Sequence, residues 1–112
     1  MARASAARAW TSAAPLFAAL GDETRLRVVS KLCDGGPLSI TKLAEGSRVT
    51  RQAISKHLRV LEDAGIARSA RDGRETVWQL EPRRLADARR FLGLISQEWD
   101  SALGRLRAFV EE

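Results

Sequence analysis

Near the middle of the 112-residue chain, Gln52, Ser55, Lys56 and Arg59 recur at helical spacing, and their chemistry is that of holding rather than bond breaking. With Ile54 set at zero and about 100° added per residue, Leu58 and Leu61 fall within about 40° of it. Gln52, Ser55, Lys56, Arg59 and Asp63 gather roughly opposite, about 100–200° away. One side is thus an apolar stripe, and the other presents a bidentate amide, a hydroxyl and two cations. Such groups read base edges and grip phosphates when a helix enters a major groove. Gln52 and Ser55 lie toward the helix start, from which base edges are usually reached, so they are the candidate base readers. Arg51, Lys56 and Arg59 are the candidate phosphate contacts. A plain solvated helix face carries the same residue types, so the neighbourhood has to decide.

The neighbourhood is basic. The formal net charge is +5, and residues 48–74 contain Arg48, Arg51, Lys56, Arg59, Arg68, Arg71 and Arg74 against Glu62, Asp63 and Asp72. Most of the excess charge therefore sits in one quarter of the chain, which points to a polyanionic partner more strongly than net charge alone. Catalysis has little to stand on. The single histidine, His57, lacks the partners of a triad or a metal site and reads as a helix-packing residue bonded to backbone or phosphate. No nucleophile–base pair, carboxylate dyad or phosphate-cradling glycine loop is visible, so the chain is not expected to be an enzyme or to carry a cofactor. The lone Cys33 excludes an internal disulfide framework and suits a reducing cytoplasm. No apolar run is long enough to span a bilayer, and the Ala-rich start with Arg3 and Arg8 lacks the apolar stretch of a secretory signal.

The elements that would position these residues can be read from caps and periods. A first helix is expected over residues 5–20, with Trp10, Ala14, Phe17 and Leu20 near one face and Pro15 placed to bend or restart it. Asp22 is a good N-cap for a second helix that turns Leu26, Val29, Leu32 and Cys33 inward. Asp34-Gly35-Gly36-Pro37 ends it. Two short helices follow, capped by Ser39 and Thr50, with the apolar pairs Leu38/Leu43 and Val49/Ile54 as staples. Gly46-Ser47-Arg48 joins them so tightly that they must cross steeply, which is the helix-turn-helix geometry. The second of them, over residues 50–64, is the expected recognition helix. After Gly65 the period changes to two. Residues 66–71 and 74–80 read as strands around an Asp72-Gly73 turn, with Thr76, Trp78 and Leu80 on one face. This hairpin, residues 66–80, forms a basic wing whose Arg68, Arg71 and Arg74 are further candidate DNA contacts, and Ser39 and Thr50 join the set from the helix starts. Pro82 opens a final helix to about residue 110. The expected fold is mainly α, an α+β winged helix: one domain over residues 1–112 with a two-stranded β-wing and a long C-terminal helix.

That helix carries an apolar seam. Leu85, Leu92, Trp99 and Leu106 recur every seven residues, with Ala88, Ile95, Ala102 and Phe109 as companions and Phe91, Leu103 and Val110 alongside. Packing wholly within the monomer is one account. The other, preferred because the apolar surface exceeds what one small domain can cover, is a homodimer whose interface combines residues 1–20, with Trp10 and Phe17, and residues 82–110. A dimer would set two recognition helices about 34 Å apart, one DNA turn.

Two segments carry a family likeness. LFAALGDETRLR at 16–27 and AISKHLRVLEDAGI at 53–66, followed by a wing containing Gly73-Arg74, resemble the ArsR/SmtB family of bacterial repressors over about residues 14–110. The resemblance implies a cytoplasmic homodimer on pseudo-palindromic operator DNA, repressing until an effector releases it. It also implies where a metal would sit, and there the chain departs from the pattern. The stretch 39–45 has no cysteine, and the final helix has no histidine, leaving Asp87, Glu98, Asp100, Glu111 and Glu112, a poor transition-metal set. Divalent-metal sensing is therefore not expected, and the chain is most similar to the subgroup without metal sites, the SdpR-like autorepressors, with the effector left open. Two alternatives stand beside this reading. One is a winged-helix protein-interaction module without DNA binding. The other is a redox-responsive repressor built on Cys33, against which the expected burial of that thiol counts.

Overall fold

A computed structural model describes residues 2–111, with side chains from Trp10 onward. Met1 and Glu112, the ends of the expected domain, and the Arg3 and Arg8 side chains lie outside the described residues. The order is α1 (Ala2–Leu20), α2 (Glu23–Gly35), α3 (Ile40–Ala44), α4 (Arg51–Asp63), β1 (Ala67–Asp72), β2 (Glu75–Leu80) and α5 (Pro82–Glu111). No helix among the described residues is long and apolar enough to cross a membrane. The fold is the expected one, a mainly helical winged helix-turn-helix with a long last helix.

One core joins all the elements before the wing. Leu16 and Ala19 of α1, Val28 and Leu32 of α2, Leu43 of α3 and Ile54, Leu58 and Leu61 of α4 meet Ile66 and Ala67 at the entry to β1. The α4 stripe is buried as its periodicity requires, with Leu58 and Leu61 both at 0% exposure. The first two helices are rotated from their expected setting. In α1 the buried line is Ala13, Leu16 and Ala19, while Ala14 is exposed and Trp10 is 46% exposed. In α2 it is Val28 and Leu32, whereas Leu26 and Cys33 are exposed and Val29 is only partly buried. Both helices carry apolar residues on two adjacent lines, so their own sequence leaves the phase open by about 100°. Contact with α3 and α4 selects the Val28–Leu32 line. Exposure of Cys33 also removes the burial that argued against its reactivity. Pro15 lies inside α1 without ending it.

The passage from α4 into the wing is built by its last turn. The Gly65 amide donates to Glu62 O and the Ile66 amide to Leu61 O, both at 2.9 Å. Gly65 adopts φ 77°, a left-handed conformation that disfavours a side chain, and Ile66 drops onto Leu61 in the core. This Schellman-type ending fixes the direction in which β1 leaves the recognition helix. Strands β1 and β2 pair antiparallel from Ala67↔Leu80 to Asp72↔Glu75. The turn is therefore Gly73-Arg74, one residue later than expected. Gly73 has φ 65° and, among the described residues, no non-glycine residue has positive φ, which suits a turn with glycine at its first central position. Placing Asp72 and Gly73 at the centre in a type I′ turn would demand positive φ at Asp72. A two-bond bridge between Leu38 and Trp78 (3.0 and 2.8 Å) pins β2 to the loop before α3. The wing is thereby tied to the helix-turn-helix it serves.

Candidate nucleic-acid interface

Short-range hydrogen bonds place both helices of the helix-turn-helix. Ser39 Oγ accepts from the Lys42 amide (3.2 Å) and Thr50 Oγ1 from the Ala53 amide (3.1 Å), each satisfying a donor that a helix start leaves open. Between them the Ser47 amide donates to Ala44 O, and Ser47 Oγ accepts from the Val49 amide at 3.0 Å, which folds the turn. Lys31, reaching from α2, donates to Leu43 O (2.9 Å) and Glu45 O (3.2 Å) and so closes the end of α3.

A second set of bonds fixes α4 against the helices behind it. The Asp22 carboxylate caps α2 by accepting from the Arg25 amide at 2.9 Å. Arg25 sends Nε to Ala19 O at the end of α1 and lies 3.3 Å from His57 Nδ1 on α4. His57 Nδ1 is also 3.8 Å from the Asp22 carboxylate. That hydrogen bond from the Arg25 amide holds the Asp22 carboxyl below the usual carboxylate range. Desolvation opposes it, and the charges of Arg25 and His57 add to it. So His57 does lean inward, and its partners within the chain are the Asp22 and Arg25 side chains rather than backbone. At the other end of α4, Arg84 of α5 donates from Nε to Ala64 O (2.9 Å) and from its other guanidinium nitrogens to Ser12 O and Asp87.

What this scaffold presents outward is cationic. Arg51, Gln52, Lys56 and Arg59 are exposed on α4, and Ser55 is half-buried between them. Among the described residues, no carboxylate lies within ion-pairing distance of Arg48, Arg51, Lys56, Arg59, Arg71 or Arg74. The first turn of α4 holds no acidic residue. A helix start ordinarily gains from an acid there, because its dipole end is positive; this one carries Arg51 instead. The result is a surface with more cations than carboxylates, led by a helix N-terminus, which suits a polyanion.

The expected contacts separate on this surface. Ser39, Ile40, Thr41, Arg51, Gln52, Glu75 and Thr76 line one concavity that joins the start of α3, the start of α4 and the wing. Thr41 was not named from sequence and Thr76 only as a strand-face residue; a hydroxyl in a short helix or strand gives no signal of a shared surface until the wing is folded beside α3. Ser39 is 8% exposed and its hydroxyl is occupied by the cap, so its side chain positions α3 rather than reaching outward. Thr50 is exposed but likewise occupied as a cap. Arg71 is exposed beside the wing tip and Arg74 forms the tip. Arg68 is at the wing base, 3.4 Å from Glu81, and so is already paired. Lys31, Arg25 and Arg84 were also invisible to sequence reasoning, because each acts on a carbonyl or ring that is distant along the chain.

The seam of α5 divides in two. Leu85 and Ala88 are partly buried against the core of their own chain, and Phe91 stacks on Phe17 with ring centroids 5.3 Å apart. Beyond them the helix has no cover. Leu92, Ile95, Trp99, Ala102, Leu106 and Phe109 are exposed, Trp99 at 66% and Phe109 at 77%.

Known proteins share this arrangement. The model of the family described as bacterial regulatory protein, arsR family, matches residues 22–69, which span α2 to the start of β1. The arsenical resistance operon repressor of Escherichia coli is 30% identical over 95 residues, covering 85% of this chain and 79% of that protein. The transcriptional regulator YuzN of Bacillus subtilis, of HTH type, is 41% identical over 68 residues, covering 55% of this chain and 74% of that protein. Among solved structures, an ArsR-like transcriptional regulator from Rhodococcus sp. RHA1 superposes with a TM-score of 0.74 at 35% identity, covering 89% of this chain and 93% of that one. With the fold, the helix-turn-helix and the matched residues in agreement, the chain belongs to the arsR family of bacterial regulatory proteins, transcriptional regulators that bind DNA through a winged helix-turn-helix.

Proposed function

We propose that this regulator is a homodimeric repressor that binds pseudo-palindromic double-stranded operator DNA, with α4 in the major groove. Gln52 and Ser55 meet base edges, Arg51, Lys56 and Arg59 meet phosphates, and Arg71 and Arg74 carry the wing into or along the minor groove. Ser39 and Thr50 act through their caps, which aim the two helix starts. Arg68 has to leave Glu81 to reach DNA and is the weakest member of the set. The observation that carries this reading is the run of exposed, unpaired cations on α4 and the wing, led by a helix start without an acid.

The dimer rests on the bare half of α5. Seven large apolar side chains from Leu92 to Val110 are exposed there, each at 39% or more. A contiguous apolar surface of that kind marks an interface, and its heptad spacing suits a second copy of the same helix. The whole chain then forms one domain, residues 1–112, with residues 1–20 and 82–110 building the interface, and it works in the cytoplasm where the DNA is. The E. coli relative is named for arsenical resistance. That response is not extended to this chain, because its 39–45 segment has no cysteine and its last helix no histidine. These departures support reading it as one of the metal-independent, SdpR-like members.

The test is binding of the full chain to its own upstream region, followed by fluorescence anisotropy between 50 and 200 mM salt, with sedimentation in parallel. The expected result is a specific complex that weakens steeply with salt and a dimer at micromolar concentration. A monomer at that concentration, or equal affinity for upstream and scrambled duplexes, would overturn it.

A further inference from the structure

Between α1 and α5 lies a cleft of about 330 Å³ that the DNA surface does not use. Its floor is apolar: Leu16 is 1% exposed, Ala13 7%, and Phe91 and Leu94 are partly buried. Its polar side is Arg84, Asp87 and Arg90. The Asp87 carboxylate sits between the two guanidiniums, with Oδ2 3.4 Å from Arg84 and Oδ1 hydrogen-bonded by Arg90. Two cations thus face one carboxylate, leaving a single positive charge above an apolar floor. Arg84 has spent its nitrogens on Ala64 O, Ser12 O and Asp87, whereas among the described residues Arg90 bonds Asp87 alone. The open fork of Arg90 can take a second carboxylate bidentately.

We propose that this cleft is a binding site for an amphipathic monoanion, a small carboxylic acid with an alkyl or aromatic body. Its carboxylate lies on Arg90 and its apolar part on Leu16, Phe91 and Leu94. The volume, at the small end of ligand pockets, suits about ten to fifteen heavy atoms. A cation is disfavoured by the charge excess, and a neutral ligand leaves the Arg90 fork unused. The cleft residues of α5 recur at Arg84, Asp87, Phe91 and Leu94, a line about 80° round the helix from the Leu92–Ile95–Trp99 seam. Leu92, Ile95 and Trp99 lie off the cleft line, and Phe91 borders both.

The site is wired to α4. Arg84, whose guanidinium meets Asp87 in the cleft, holds the carbonyl of Ala64 at the end of that helix and that of Ser12 on α1. An anion beside Asp87 competes for Arg84 and loosens the Ala64 bond, so a bound acid lowers DNA affinity to the extent that it prefers the loosened state. Only this consequence rests on the reading that α4 contacts DNA; the binding site itself does not.

Octanoate, with octanamide as its uncharged match, is titrated into the full chain while the methyl signals of Leu16 and Leu94 are followed by NMR. Octanoate should give saturable shifts at both methyls, and octanamide should bind about tenfold more weakly or worse. Arg90→Gln should weaken octanoate by about tenfold. Leu94→Trp, which fills the cleft, should remove the Leu16 shift. The proposal is overturned if octanoate perturbs only the Trp99–Phe109 region, if the amide binds equally well, or if Arg90→Gln binds octanoate normally. DNA binding is measured on the same samples. Its absence in the ligand-free chain refutes the DNA reading alone, whereas normal DNA binding beside a silent cleft refutes this inference alone.

Discussion

Replacing Arg51 with glutamine should make the fold more stable and the regulator worse, and the two effects have different origins. Arg51 is the first residue of α4, exposed, without a carboxylate partner among the described residues, and set against the positive end of the helix dipole. A charge so placed is unfavourable by about 0.3–1 kcal/mol. Glutamine and arginine have nearly equal helix propensity, so the exchange isolates the charge. For a domain of this size the gain corresponds to a rise of about 1–5 °C in Tm, shrinking at high salt as the charge is screened. On DNA, each phosphate contact contributes about 0.9 to the slope of log K against log salt. Two protomers each losing one contact reduce the slope by about 1.8, which at 0.1 M salt is a loss of about 60-fold, or about 2.4 kcal/mol. Calorimetry on the free protein and anisotropy across a salt series read the two quantities separately. A lower Tm would show that Arg51 makes a stabilising contact absent from this structure. An unchanged salt slope would remove it from the phosphate set.

Gln52→Ala should reduce discrimination at one base pair per half-site by about 1–3 kcal/mol, seen as a flattened profile across single-base operator variants, whereas Arg59→Ala should weaken all duplexes alike. Leu58→Ala, at a side chain with 0% exposure, should lower stability by about 3–4 kcal/mol in urea titration; a loss under 1 kcal/mol would mean the core re-forms around the gap. Asp22 supplies a pH dependence. Its carboxyl titrates below the usual 3.8 in the folded chain, so its stabilisation is present above about pH 3.8 and is lost as pH falls through the lower folded value. Asp22→Asn keeps a capping side chain but removes this charge. The stability gap between the two proteins should close on acidification from pH 6 to pH 2.5, and a gap that widened would contradict the assignment.

How much of this was written in the chain depends on how local each cause is. Thr50, Ser39 and Asp22 cap helices through bonds to an amide three residues on, and those starts were readable directly. Helix α4 was legible face by face because it has a single apolar line, Ile54, Leu58 and Leu61, so only one rotation buries it. The α5 seam was legible as a heptad line, but not which half of it the chain's own core would cover.

Tertiary structure decided everything with more than one local answer. Helices α1 and α2 each offer two apolar lines, and packing on α3, α4 and α5 chose Leu16 and Val28, leaving Leu26 and Cys33 outside. The wing turn settled on Gly73-Arg74 because the strand register, pinned at Trp78 by Leu38, left positive φ only at a glycine. It also decided the duties of Lys31, Arg25 and Arg84, whose partners lie many residues away. The chain by itself therefore determined which face of α4 is buried and which polar side chains that helix turns outward. Only the folded protein decided what holds that helix in place, because those bonds are made to backbone carbonyls and a ring brought near by packing.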